Sequence, residues 1–161
     1  VPLIVLAYFI YFGMPQGIHS LGFADFRMGP LLAGTITLSM NCGAYMAEII
    51  RAGIQSVDRG QMEAGRSLGL SYGAGMALIV VPQAIRTMIP SIINQFIITL
   101  KDSSILSVIA FPELVNVGKT IMGNTMKCLE TWAIIGAMYM AVIITLSKVS
   151  KKIERRVNRG R

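Results

Sequence analysis

The apolar residues of this 161-residue chain are gathered into long stretches, and that clustering limits the fold more than any other feature. Residues 31–50 form the clearest stretch, interrupted by Thr, Ser, Asn, Gly and a single acid, Glu48. Twenty residues at about 1.5 Å each cover roughly 30 Å, the thickness of bilayer hydrocarbon. Residues 82–100 form a second stretch and residues 131–146 a third. A fourth, residues 1–12, ends at Gly13 and is too short to cross alone. It lacks the basic segment and cleavage site of a signal peptide and does not begin with Met, so it reads as part of a helix in a truncated sequence. Residues 105–111 are also too short to cross and are closed by Pro112, which predicts a short helix inside or at the edge of the membrane. The expected fold class is an all-α membrane protein with about four membrane helices.

Composition agrees, with 53% hydrophobic and 14% charged residues, against about 25% charged in soluble domains. That excludes an ordinary water-soluble globule and a disordered chain. The net charge of +7 must be located before it is interpreted. Seven of the 15 basic residues, Lys148, Lys151, Lys152, Arg155, Arg156, Arg159 and Arg161, lie in the tail 148–161, opposed only by Glu154. Residues 1–147 are then close to neutral, which argues against a nucleic-acid-binding surface. The tail reads as cytoplasmic by the positive-inside rule. The connection 51–81, with Arg51, Arg59 and Arg66, then falls on the inner side, and the connections 14–29 and 101–130 on the outer side, the latter despite Lys101, Lys119 and Lys127. Val149, Ile153 and Val157 recur every four residues in the tail. An amphipathic helix on an anionic membrane surface and a pure topology signal both fit that pattern.

The inner connection carries its own helix signals. Asp58 followed by Gln61 has capping-box spacing, so residues 59–68 are expected to be helical, with Gly69 as the stop. Ser71 is placed to cap a second short helix running toward Pro82. Met62, Gly65, Leu68 and Gly69 recur at spacings of three or four, which predicts one half-apolar side in need of a partner or of the bilayer surface. Glu48 and Arg51 are placed to neutralise each other near a span end.

In this connection the sequence resembles a known family. Glu63-Ala64-Gly65, three residues, Gly69, nine residues and Ile79-Val80-Val81-Pro82 are similar to the EAA loop of binding-protein-dependent ABC importer permeases, with Gly65 in place of Ala and Val81 in place of Leu. The surrounding text, from Asn41-Cys42-Gly43-Ala44-Tyr45 through Pro82-Gln83-Ala84 to Leu100-Lys101-Asp102-Ser103-Ser104, resembles the polar amino-acid permeases of histidine, glutamine and arginine uptake. Gly73 and Gly75 depart from the larger residues usual in that family, and glycine there is expected to weaken the second loop helix.

The resemblance implies the membrane domain of a type I importer over residues 1–161, incomplete at its N-terminus, with a cytoplasmic coupling helix. It implies a coupling role for Glu63, Ala64, Gly65, Gly69 and Pro82. Ala64 and Gly65 would let the backbone approach an ATPase surface, and Glu63 would either pair with a basic group there or cap its own helix. The implied partners are a second permease subunit, two ABC ATPase subunits that hold ATP and magnesium, an extracytoplasmic amino-acid-binding protein and membrane lipids. The chain itself has no GxxxxGK[ST] phosphate loop.

Asn94, Gln95, Lys101, Asp102, Ser103, Ser104 and Glu113 form a polar group around a helix end. Asn94, Lys101, Asp102 and Glu113 are candidates for the substrate path, where charge-assisted bonds would hold an amino acid; hydrated loop is the other reading. A secondary transporter or channel using Asp102 or Glu113 as an ion or proton site is the rival from a different class. Cys42, Cys128 and the single histidine, His19, offer no metal-ligand or catalytic spacing, so neither a metal site nor a hydrolase is expected.

Overall fold

The computed structural model describes residues 1–22 and 26–158, and all regular structure among them is helical. The helices are α1 (Leu3–Ser20), α2 (Pro30–Gln55), α3 (Arg59–Ser67), α4 (Tyr72–Ile109), α5 (Leu114–Thr125) and α6 (Cys128–Asn158). Two of them owe their length to a widened turn set just ahead of a proline. In α1 the π-turn Phe9–Gly13 precedes Pro15, and in α4 the π-turn Met76–Val80 precedes Pro82. Proline has no N–H to donate and its ring crowds the carbonyl four residues back, so widening that turn lets the helix continue.

This changes two expectations. The N-terminal stretch does not stop at Gly13 but runs to Ser20, and the helix capped by Ser71 is not separate from the stretch beginning at Pro82. Its first turn, Tyr72–Gly75, leads through the π-turn into the α-helix Val81–Asp102 and the 3-10 turns Ser103–Ile109. Among the described residues three helices are long and apolar enough to cross a membrane: Leu3–Ser20, Tyr72–Ile109 and Cys128–Arg155. The stretch expected to be the clearest, residues 31–50, lies in the 26-residue α2 but falls short on apolarity. Thr35, Thr37, Ser39, Asn41 and Glu48 dilute it. Thr35 and Thr37 return their hydroxyls to the carbonyls of Leu31 and Ala33, both at 2.8 Å, which removes the penalty of burying Thr37 completely.

The helix α6 also exceeds its expected range. The tail is not a separate surface helix but continues α6 to Asn158. Of the tail residues named from sequence, Arg159 and Arg161 lie outside the described residues, as do the side chains of Arg156 and Val157.

The chain divides into two compact units. The first contains the described residues of Val1–Gly43 and Ile97–Thr145. Its core is built from Ala7, Ile10, Met28, Ala33, Leu106 and Ile109, with Phe111 packed against them. Gly34 is buried because the Phe111 ring lies on its backbone; a Cβ there would collide with the ring. The ring is aimed by a tight reversal: the 3-10 turns end at Ala110 in the left-handed conformation (φ 58°), and Phe111 N–H returns to the Leu106 carbonyl at 3.2 Å. The second unit contains Ala44–Phe96 and the end of α6 from Leu146. Glu48 and Arg51 pair there at 3.8 Å as expected, with both side chains well exposed, so the pair adds little stability.

Candidate functional site

Helix α3 is built from local signals. The Asp58 Oδ1 accepts from the Gly60 N–H at 2.6 Å, satisfying a donor that the first turn cannot. The expected capping box with Gln61 is not formed, because Asp58 caps Gly60 instead. The Gln61 side chain turns to Gln83, whose Nε2 donates to Gln61 Oε1 at 3.4 Å and to the Ile79 carbonyl at 3.0 Å. At the far end Leu70 N–H bonds the Gly65 carbonyl at 3.1 Å and Gly69 N–H bonds the Arg66 carbonyl at 3.0 Å. This is a Schellman stop, and it requires the positive φ of 85° that Gly69 adopts. Replacing Gly69 by valine should cost about 1–2 kcal/mol and loosen the stop, read as faster limited proteolysis of the connection in the purified protein.

Two glycines seat α3 on the start of α4. A Cβ on Gly65 would lie 2.6 Å from Ile79 Cδ1, and one on Gly75 would lie 2.7 Å from Met62 Sδ. Each helix thus offers a bare backbone position to a side chain of the other. Gly75, expected only to weaken its helix, is the socket for Met62. Gly65 is buried against its own chain and does not present its backbone outward, which corrects the expectation that it lies against a partner. The predicted half-apolar side is split as well: Met62 and Gly65 face α4, whereas Leu68, three residues beyond Gly65 at the cap, is 86% exposed. The outward face carries Glu63, Ala64, Ser67 and Leu68. Glu63 lies beyond the first turn, which holds no acid, so it does not cap α3. Pro82 is exposed where the α-helical part of α4 resumes.

The polar group named from sequence is only partly assembled. Asn94 and Lys101 are exposed on α4, and Asp102 is half-buried at the end of its α-helical part. Glu113 is fully engaged within the first unit. Its Oε1 accepts from Asn116 N–H at 2.6 Å, and its Oε2 accepts from Val115 N–H at 2.8 Å and from the Tyr139 hydroxyl at 3.1 Å. It is therefore the N-cap of α5 and also ties that helix to α6. Glu113, Ser103 and Tyr139 border a cavity of about 250 Å³ whose other walls are Leu100, Leu114, Met138 and Val142. Lys101 and Asp102 do not line it. Ser103 and Ser104 return their hydroxyls to the carbonyls of Leu100 and Lys101, while Lys119 Nζ donates to the buried Ser107 at 2.9 Å. Tyr139 and Lys119 were missed in sequence. A lone hydroxyl in the middle of an apolar helix, which needs a partner in lipid, was the available signal for Tyr139. Among the described residues no three His, Cys, Asp or Glu side chains are grouped to hold a metal.

Long apolar helices, together with a capped connecting helix whose outer face is exposed, define a helical membrane protein. Over residues 1–159 the chain matches the family described as binding-protein-dependent transport system inner membrane component, and it belongs to that family. It is 36% identical over 156 residues to the glutamine transport system permease protein of Escherichia coli (strain K12), covering 97% of this chain and 69% of that protein. It is 34% identical over 156 residues to the arginine transport system permease protein of Bacillus subtilis (strain 168), covering 97% and 68%. The crystal structure of an amino acid ABC transporter with histidines matches at a TM-score of 0.89 and 40% identity, over 97% of this chain and 70% of that one. These relatives are transport permeases, and the fold is that of the type I importer membrane domain.

Proposed function

We propose that this chain is the membrane permease subunit of an ATP-driven importer for a polar amino acid, with α3 as the element that receives the motion of a separate ATPase. The observation that carries this reading is the construction of α3: one face is locked to α4 through Gly65 and Gly75, and the opposite face, with Glu63, Ala64 and Leu68, is left open. A helix held this way moves as a body with the helix behind it, which is what a load-transmitting contact requires. The C-terminus is placed in the cytoplasm with α3, and ATP and its magnesium ion belong to the ATPase. A second permease subunit and an external binding protein complete the assembly. Asn94, Lys101, Asp102 and Glu113 are assigned to the substrate path.

The test is uptake of a panel of labelled amino acids by the reconstituted complex, with and without ATPase. Leu68→Glu, at an exposed position that carries no internal packing, should abolish ATPase co-purification and ATP-driven uptake while membrane insertion stays normal. Uptake that persists without any ATPase would overturn the reading in favour of a secondary transporter or channel using Asp102 or Glu113.

A further inference from the structure

The C-terminal end of α6 carries a stripe of unpaired positive charge. Lys148, Lys151, Lys152 and Arg155 are all exposed, and at about 100° per residue they fall within an arc of roughly 100° on the helix surface. Ser147, Ser150 and Glu154, on the other side, are half-buried, so the stripe is the outward face of this end of the helix. Val149 and Ile153 flank it and are also exposed, at 49% and 36%. Among the described residues the one ion pair joins Glu48 to Arg51, and none of the four basic groups has an acidic partner.

The depth of the stripe follows from helix geometry. Lys127 and Lys148 bracket the apolar part of α6, and the rise between them is about 31 Å, the thickness of the hydrocarbon layer. Lys148 therefore stands at the boundary, and Lys151, Lys152 and Arg155 stand roughly 5–10 Å beyond it, within the polar headgroup layer. We infer that this stripe is a binding surface for the headgroups of anionic phospholipids in the leaflet on the C-terminal side. Long basic side chains there reach phosphate oxygens, while Val149, one residue past Lys148, faces the acyl boundary and Ile153 lies among the lipid glycerol and headgroup region. An acidic patch on a soluble partner would meet the same charges, but it would not account for exposed apolar residues beside them at this depth. The inference concerns lipid selectivity and stands independently of the coupling role of α3.

The experiment uses the full chain with its partner subunits in phosphatidylcholine vesicles containing phosphatidylglycerol, without ATP. Spin-labelled phosphatidylglycerol and phosphatidylcholine report the preference of the protein-contacting lipid. The native protein should prefer phosphatidylglycerol, less so at high salt. K148Q/K151Q/K152Q/R155Q should lower that preference by about twofold or more, and K148R/K151R/K152R should keep it. Single glutamine variants, each falling by a smaller step, serve where the fourfold variant does not insert. An unchanged preference in the glutamine variants would overturn the inference. So would an unchanged preference with a partner subunit lost on purification, which would assign the stripe to a protein surface.

Discussion

Gly34→Leu should lower the unfolding temperature of the purified permease strongly, at a cost of about 3 kcal/mol, the upper end for overpacking. The reason is the rigidity of what it meets. A Cβ at this position collides with the Phe111 ring itself, not with the movable end of a long aliphatic chain. The ring has little room to withdraw, because Ala110 fixes the reversal before it and Pro112 restricts the backbone after it. Phe111 also packs against the core containing Ala33, Leu106 and Ile109, so displacing it opens contacts on both sides. Pairing the change with Phe111→Ala should restore part of the loss, giving a coupling energy of about 1–3 kcal/mol in a double-mutant cycle. If Gly34→Leu unfolds at the native temperature, the ring does not sit on that backbone.

The second large effect is expected at Glu113. Alanine there removes the cap of α5, worth about 1 kcal/mol, and takes the carboxylate acceptor from the half-buried Tyr139 hydroxyl, leaving Ser103 beside it, worth about 1–2 kcal/mol more. The combined loss should be roughly 2–3 kcal/mol in thermal unfolding. Tyr139→Phe, which removes the donor but leaves the cap, should cost only about 1 kcal/mol. Glu113→Gln keeps a carbonyl oxygen and should fall between them. These variants also separate two uses of one carboxylate. If Glu113 contacts the transported amino acid, Glu113→Gln will raise KM for uptake well beyond the change seen in Tyr139→Phe. A KM equal in the two variants would remove Glu113 from the substrate path and leave it as a cap.

What could be read from sequence was set by the range of the interaction. Asp58, Gly69 and Ser71 act on backbone groups two to five residues away, and each caps or stops its helix as expected, although the box between Asp58 and Gln61 does not close. The clustering of apolar residues identified an all-helical membrane chain for the same reason. Errors arose where a partner lies on another helix, beyond the reach of a single turn or cap. Gly65 and Gly75 carry no local sign that Ile79 and Met62 will cover them. Leu68 was grouped with Met62 by its spacing, yet two steps of three residues turn a helix by about 120° from the starting face, and it points outward. Polar interruptions made residues 31–50 less apolar than a count of breaks suggested. Gly13 gave a false stop and Pro82 a false start, because a sequence pattern does not show the widened turns that carry both helices on.

The seating of α3 on α4 bears on the order in which the chain acquires its structure. Met62 and Gly75, like Gly65 and Ile79, are only about a dozen residues apart, whereas Gly34 waits for a phenylalanine more than seventy residues later. Closing a short loop costs little entropy, and contacts between near neighbours in sequence form fastest. The connecting helix and its socket are therefore able to assemble as soon as their segment is synthesised. The core of the first unit has to wait until the chain has passed Phe111.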